Sequence, residues 1–229
     1  MASEISVKYL LSLMAASADS AILMEKVTRW SRFREKGLPL RQQSNLSHTY
    51  SFLLTAIILR ERARNRFKID WELLFDAIFL HDLGEGVLHE DIPFPRKSDE
   101  RDRDEYLAFR GFIGKLGKKT TAKLERAFLL QFAHKNSEIF PRRARQIMSE
   151  LFQTHRREVL LFAGMEQFDY VLYALEQYLR LGNKEIFATV LSDQTPILDD
   201  MVKRLPLLRQ LWSPAFRQYC FDLLQKAVI

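Results

Sequence analysis

No segment of this 229-residue chain sustains the alternation of apolar and polar residues, bounded by turn residues, that marks a half-buried β-strand. Apolar residues recur instead at helical spacing, and only 8 Gly and 7 Pro interrupt them. Residues that favour helices, such as Leu, Ala, Glu, Arg and Lys, are plentiful. The sequence therefore predicts an all-α fold, built as a single domain over residues 1–229.

Glycines, prolines and capping residues divide the chain into helices. The expected helices span about 4–28, 46–65, 71–82, 98–116, 119–135, 142–155, 157–181, 184–203 and 208–227. Asn45 or Ser47 can cap the second of these and Asp70 the third. Gly84 and Gly86 are expected to break the third helix, so that an irregular, proline-containing loop follows.

Composition limits the class of protein. Hydrophobic residues make up 47% of the chain and charged residues 28%, as in ordinary soluble globular proteins. Cys220 is the single cysteine, which excludes an internal disulfide and a cysteine-rich zinc site and agrees with a cytoplasmic location. The N-terminal segment lacks the charge pattern of a signal peptide, and the apolar stretches are too short to span a membrane.

The formal net charge of +6 is compatible with attraction of an anionic substrate or of nucleic acid. Basic residues cluster at 60–66 and 141–145. Acidic residues are mixed in elsewhere, and no aromatic-basic recognition motif is evident. Nucleic acid is therefore a possible partner, but not the favoured one.

The most informative pair is His81-Asp82, at the end of an otherwise apolar helix. Leu74, Ala77 and Ile78 share the helical face of His81, so we expect His81 to point inward. Asp82 is a carboxylate in an apolar neighbourhood, where it requires a cation or several hydrogen-bond donors. A divalent metal ion fits. Histidine with aspartate suits zinc, cobalt, manganese or iron, and carboxylate-rich sites shift the choice toward manganese or magnesium.

Two further donors are predicted to face inward. His48 shares a helical side with Phe52 and Leu59, and Asp169 lies four residues after Met165 at the edge of an apolar face. Alone, each has an ordinary explanation as a core histidine or a solvated aspartate. The order His, His-Asp, Asp on successive helices is much harder to obtain by chance.

This order resembles the HD superfamily of metal-dependent phosphohydrolases, which are all-helical. Locally, the chain is similar to the YfbR-type 5'-deoxynucleotidases in His81-Asp82-Leu83-Gly84-Glu85, in Asp91-Ile92-Pro93-Phe94-Pro95-Arg96-Lys97, in Arg29-Trp30 and in Gln167-Phe168-Asp169-Tyr170. The similarity spans about residues 20–180, which would form the HD core. Residues 184–229 would then be a C-terminal helical extension.

The resemblance implies a set of metal ligands, namely His48, His81, Asp82 and Asp169. Glu85 would orient or deprotonate the attacking water, and Asp91 would be a second acidic group near the leaving oxygen or the sugar. The spacing between Glu85 and Asp91 is one residue longer than the family pattern, so Glu90 is an alternative to Asp91.

Three more residues would contact the substrate. Arg29 would hold the phosphate, Trp30 would shape the sugar pocket, and Lys97 would add positive charge at the phosphate. The expected substrate is a deoxynucleoside 5'-monophosphate, and family habit implies a homodimer. Alternatives are hydrolysis of deoxynucleoside triphosphates, cyclic nucleotides or (p)ppGpp, a non-catalytic nucleotide- or nucleic-acid-binding module, and a purely structural helical bundle.

Other histidines and aspartates receive weaker predictions. His89 has no counterpart in the family pattern and is expected to be a solvent-exposed loop residue, with an additional ligand or acid as the alternative. His134 and His155 are expected at exposed helix ends and not in a second metal site. Asp193 is a reserve candidate for the last metal ligand.

Overall fold

The computed structural model describes residues 7–63, 67–90, 98–135 and 138–226. Within these ranges the regular secondary structure is helical throughout, which confirms the predicted all-α class. The helices are α1 (Val7–Lys26), α2 (Ser31–Arg34), α3 (Asn45–Ala63), α4 (Trp71–Leu80), α5 (Leu83–Leu88), α6 (Asp99–Ile113), α7 (Lys118–Leu129), α8 (Arg142–Thr154), α9 (Arg156–Leu181), α10 (Lys184–Arg204) and α11 (Pro214–Lys226). None of these helices is long and apolar enough to cross a membrane.

Two helix starts test the capping predictions. The Asp70 side chain accepts a hydrogen bond from the Leu73 amide at 3.0 Å, so the predicted cap of α4 is confirmed. At α3 the Ser44 hydroxyl accepts the Ser47 amide at 3.2 Å, so the prediction of Asn45 or Ser47 as the cap was wrong. The Asn45 side chain is fully buried and serves the site described below.

Gly84 and Gly86 lie inside the short helix α5 and do not act as helix breakers. A Cβ atom on Gly84 would stand 2.5 Å from the Glu105 carbonyl oxygen of α6, and one on Gly86 would touch the α1 backbone at Leu23. Glycine is therefore needed at Gly84 for close packing of two helix backbones, and this packing outweighs its low helix propensity. The helix breaks instead at Asp82, whose φ of −91° and ψ of 0° leave the helical region.

The core consists of two apolar clusters that meet along α9. One cluster, containing Phe52, Ile78 and Phe162, joins α3, α4, α6, α7 and α8 to the first half of α9. The other joins the second half of α9 to α10, α11 and Trp30. Each fully buried large side chain contributes about 1.5–3 kcal/mol relative to an exposed one. The candidate site lies where these clusters meet.

Candidate metal centre

The side chains of His48, His81 and Asp82 meet in the core. His48 lies in the first turn of α3, and His81 and Asp82 link α4 to α5. The two Nε2 atoms are 3.1 Å apart, and Asp82 Oδ1 is 3.2 Å from His81 Nε2. All three side chains are buried, and together they form a group that could hold a metal ion.

Hydrogen bonds fix the proton on each imidazole. His48 Nδ1 lies 2.7 Å from Asp169 Oδ2, and His81 Nδ1 lies 2.7 Å from the Ile78 carbonyl oxygen. Because a carboxylate and a carbonyl only accept hydrogen bonds, both Nδ1 atoms carry the proton. Both Nε2 atoms are then lone-pair donors that face each other beside the Asp82 carboxylate. Three electron-rich atoms in one dry space require a proton or a cation.

The pKa shifts agree with this requirement. Burial alone would raise the pKa of Asp82, but the neighbouring His81 and Arg29 hold that pKa well below its usual range. Burial alone would lower the pKa of His81, yet the Asp82 carboxylate raises it by favouring the imidazolium form. A proton at His81 therefore occupies the position where a metal ion would bind, and metal and proton compete.

The spacing of the two nitrogens also suits one metal ion. Two ligands each about 2.1 Å from one ion lie about 3.0–3.4 Å apart in octahedral or tetrahedral geometry. The observed separation of 3.1 Å between His48 Nε2 and His81 Nε2 falls within that range. Two imidazoles and one carboxylate favour zinc, cobalt, manganese or iron over calcium, which prefers oxygen ligands.

Asp169 contacts His48 at Nδ1, the ring nitrogen that does not face His81. Its Oδ2 binds His48 Nδ1, and its Oδ1 accepts a hydrogen bond from the Ser51 hydroxyl at 3.1 Å. A carboxylate on the far ring nitrogen commonly orients a metal-binding histidine and increases its basicity. The structure thus places Asp169 beside His48, and its role as a direct metal ligand stays a prediction.

Arg29 lies beside the centre, as the sequence predicted for a substrate-binding residue. Its Nη1 donates to Asp82 Oδ2 at 2.8 Å, and its guanidinium lies 5.5 Å from the centre of the Tyr170 ring. The backbone is anchored by a 2.8 Å hydrogen bond from the Arg29 amide to the Gln43 carbonyl. Because a guanidinium carries five N–H donors, Arg29 can contact Asp82 and a phosphate together.

Trp30 is held rigidly in an uncommon backbone conformation. Its φ of 71° lies in the left-handed region, which is a marked outlier for a bulky residue. The ring stacks on Tyr173 with centroids 4.4 Å apart, and its N–H donates to Gln43 Oε1 at 2.9 Å. Such strain persists only when surrounding contacts enforce it, and it occurs often at functional sites.

Glu85 is buried in α5, one turn after Asp82. Its Oε2 accepts a hydrogen bond from the Asn45 amide at 3.0 Å. Asp91 and Lys97, the two remaining predicted site residues, lie outside the described residues. Glu90, the alternative to Asp91, is exposed and pairs with Arg101.

A cavity of about 230 Å³ opens beside the centre, and its wall includes Arg29, Asp82 and Glu85. Trp30 and Tyr170 add aromatic surface. Helix α10 adds aliphatic side chains, and the wall also carries an ion pair between the half-buried Lys135 and the buried Asp102. The cavity therefore joins the candidate metal centre to cationic and aromatic groups.

The remaining histidines and Asp193 stand apart from the three-residue group. His89 is exposed, as expected, and ends α5 in the left-handed conformation. His134 is also exposed, as expected, although it lines the cavity. His155 Nδ1 lies 2.7 Å from the Thr154 hydroxyl, and Asp193 lies 3.6 Å from Arg32.

Sequence reasoning missed three supporting side chains: Asn45, Ser51 and Gln131. Ser51 follows His48 by three residues, so helical periodicity could have placed it on the same face. Gln131 donates to the His81 carbonyl oxygen at 2.9 Å from a distant part of the chain. Periodicity carries no signal for such a long-range contact.

Comparison of this chain with protein-family models, curated proteins and solved structures found no match. The likeness to HD phosphohydrolases therefore depends on the residues quoted above.

Proposed function

We propose that this protein is a metal-dependent phosphohydrolase that acts on nucleotides, and more specifically a 5'-deoxynucleotidase. One observation carries the proposal. A buried group of two imidazole lone pairs and a carboxylate adjoins a cavity that also contains a guanidinium and a second buried carboxylate. Hydrolysis of a phosphate ester needs a Lewis acid, an activated water and cations around the phosphate oxygens.

His48, His81 and Asp82 would hold the divalent cation, with Asp169 as the predicted fourth ligand. When bound, the cation would supply Lewis-acid stabilisation of the charge that develops on the phosphate. Its presence would also relieve the repulsion among the three electron-rich atoms. The ligand set favours zinc, cobalt, manganese or iron.

Arg29 would bind the phosphate through paired N–H donors, since a guanidinium matches two phosphate oxygens. Its position is fixed by Asp82 and by the Tyr170 ring, so little side-chain entropy remains to be lost on binding. Arg29 would therefore orient the phosphorus for in-line attack by water.

Glu85 would accept a proton from the attacking water. The side chain is 5% exposed, and the hydrogen bond from Asn45 orients one of its oxygens. A carboxylate at this position in the cavity wall is a suitable general base. Asp91 and Lys97 keep their predicted roles near the leaving group and the phosphate.

The rigid Trp30 ring would lie against the sugar. A ring fixed by Tyr173 and Gln43 cannot move aside for an extra hydroxyl group. Steric exclusion of the 2'-hydroxyl would give a preference for deoxynucleotides. Among nucleotide hydrolases, this interpretation favours a deoxynucleotidase.

A second candidate function is that of a nucleic-acid-binding module, which would have this fold but no catalytic activity. The observation that favours it is a basic groove beside the cavity, lined by Lys135, Arg142 and Arg145. Such a module would bind nucleic acid with a steep dependence on salt.

The direct test is phosphate release from a panel of deoxy- and ribonucleoside monophosphates and triphosphates, with cobalt, manganese or magnesium. We expect metal-dependent release from deoxynucleoside monophosphates, lost on chelation and in Asp82→Ala. Turnover of triphosphates alone would keep the site and replace the substrate. Metal binding without turnover of any nucleotide would contradict the proposal and favour the binding module.

A further inference from the structure

Gln194 of α10 lines the cavity, and among the described residues its side-chain oxygen has no hydrogen-bond partner. The residue is only 3% exposed. Burying an unpaired amide costs free energy, and folded proteins seldom retain one. A buried polar group that faces a cavity and lacks a partner is therefore suited to bind a ligand.

Gln167 of α9 is half-buried but resembles Gln194 in its side-chain oxygen. Its side chain lines the same cavity, and within the described chain its buried Oε1 also lacks a hydrogen-bond partner. Helices α9 and α10 pack against each other, so the cavity receives one amide from each. The third glutamine of the cavity, Gln131, differs because its amide is committed to the His81 carbonyl.

The cavity lining also has an apolar part. Trp30 and Tyr170 contribute aromatic rings, and Val190 and Ile197 contribute aliphatic side chains. Apolar walls with a few placed polar groups are typical of sites for planar heterocycles. A sugar phosphate would use the Trp30 ring, but it would leave the Tyr170 ring and the aliphatic surface without a ligand contact.

A primary amide carries a hydrogen-bond donor and an acceptor side by side. Its complement is a ring edge that carries an adjacent acceptor and donor, as every nucleobase does. We propose that Gln194, together with Gln167, forms a nucleobase subsite that recognises the hydrogen-bonding edge of the base. This inference rests on the proposed function, and it assigns the part of the cavity beside these two glutamines to the base.

Because a glutamine amide can rotate by half a turn, the subsite accepts bases of either donor-acceptor order. It therefore distinguishes a nucleotide from an abasic sugar phosphate more strongly than one base from another. A glutamate at the same position only accepts hydrogen bonds. Gln194→Glu is thus expected to shift preference toward guanine, whose pairing edge carries two adjacent N–H donors.

The kinetic test compares a deoxynucleoside 5'-monophosphate with 2-deoxyribose 5-phosphate. Loss of one paired amide is expected to lower kcat/KM for the nucleotide about tenfold in Gln194→Met. Activity on the abasic substrate should stay within about twofold, because the subsite is empty in that complex. Gln218→Met is the matched control, since Gln218 is an exposed glutamine on α11.

Thermal unfolding of the ligand-free variants separates ligand binding from a structural role. Removing a buried amide whose oxygen has no partner among the described residues should leave Tm unchanged or raise it in Gln194→Met. A lower Tm together with an equal loss on both substrates would overturn the subsite. If Gln194→Met fails to fold, Gln194→Glu serves instead, and an unchanged base preference in that variant would likewise overturn it.

Calorimetric binding of the four deoxynucleosides distinguishes this inference from the proposed function, because these ligands carry no phosphate. Binding that weakens in Gln194→Met would support the subsite even if no phosphate were released from any nucleotide. If 2-deoxyribose 5-phosphate is hydrolysed as fast as the nucleotide, and Gln194→Met changes neither rate, the subsite is overturned while the proposed function stands.

Discussion

Two buried carboxylates, Asp82 and Glu125, occupy very different surroundings. Glu125 is fully buried, but it accepts a hydrogen bond from the Tyr106 hydroxyl at 2.7 Å and lies within 3.3 Å of two guanidinium groups. Asp82 is paired with Arg29, and two imidazole nitrogens beside it also need a proton or a cation. Two arginines compensate the charge of Glu125 within the protein, whereas Asp82 belongs to a group that still needs a proton or a cation.

The comparison teaches that burial alone does not mark a functional carboxylate. A buried anion surrounded by donors stabilises or specifies the fold. A surplus of electron-rich atoms at one point marks a site for a ligand. The predictions below test each side of this difference.

The largest effect is expected for Glu85→Gln. This isosteric change removes the proposed general base, so kcat should fall by about 10²–10⁴-fold. Metal content should not change, because Glu85 is outside the three-residue group. Glu72→Gln, at an exposed position of α4, is the control. Full activity in Glu85→Gln would exclude Glu85 from proton transfer.

Asp169→Asn tests the support of His48. Loss of the carboxylate should weaken metal binding about 10–100-fold, because His48 loses the group that orients it. Competition with a metal-sensitive dye measures the affinity. Complete loss of metal from the variant would make Asp169 a direct ligand, as the sequence predicted.

Glu125→Met tests the buried carboxylate whose charge is compensated within the protein. The Tyr106 hydroxyl, which is buried, would lose its acceptor, so the free energy of unfolding should fall by about 1–3 kcal/mol. Both arginines are partly exposed and can be hydrated. Denaturant titration measures the change. An equal loss of metal affinity in this variant would contradict the separation of the two regions.

The smallest effect concerns Tyr106 at alkaline pH. Burial and the bond to Glu125 raise the pKa of Tyr106 to about 12. Because an unfolded tyrosine has a pKa of about 10, Tyr106 contributes stability below about pH 10 that is lost as the pH rises toward 12. Unfolding between about pH 9 and 11 should show a smaller decline in Tyr106→Phe than in the native protein. Exposed Tyr50→Phe is the control, and equal declines in all three would contradict the account.

The helices were largely predictable because apolar periodicity reports directly on burial. Helix α9 has the expected extent and ends at Gly182, whose φ of 69° suits glycine. Helix α5 was missed because Gly84 looks like a breaker in sequence. Only the structure shows why glycine is needed there, because the Glu105 carbonyl oxygen of α6 lies 2.5 Å from the position that a Cβ atom would occupy.

The candidate centre was predictable for the same reason, and the cavity was not. His48 and His81 interrupt apolar helical faces, so their inward direction can be read from neighbouring residues. Gln194 and Lys135 resemble surface residues in sequence. Only the packing of α10 against α9 and the Asp102 pair show that they line a cavity.

The most direct test of the central claim is a crystal structure of the protein grown with manganese or cobalt, with anomalous scattering measured at the absorption edge of the metal. We expect a single strong peak within bonding distance of His48 Nε2, His81 Nε2 and the Asp82 carboxylate. Absence of a peak there, or a peak at another set of residues, would contradict the assignment of this group as a metal centre.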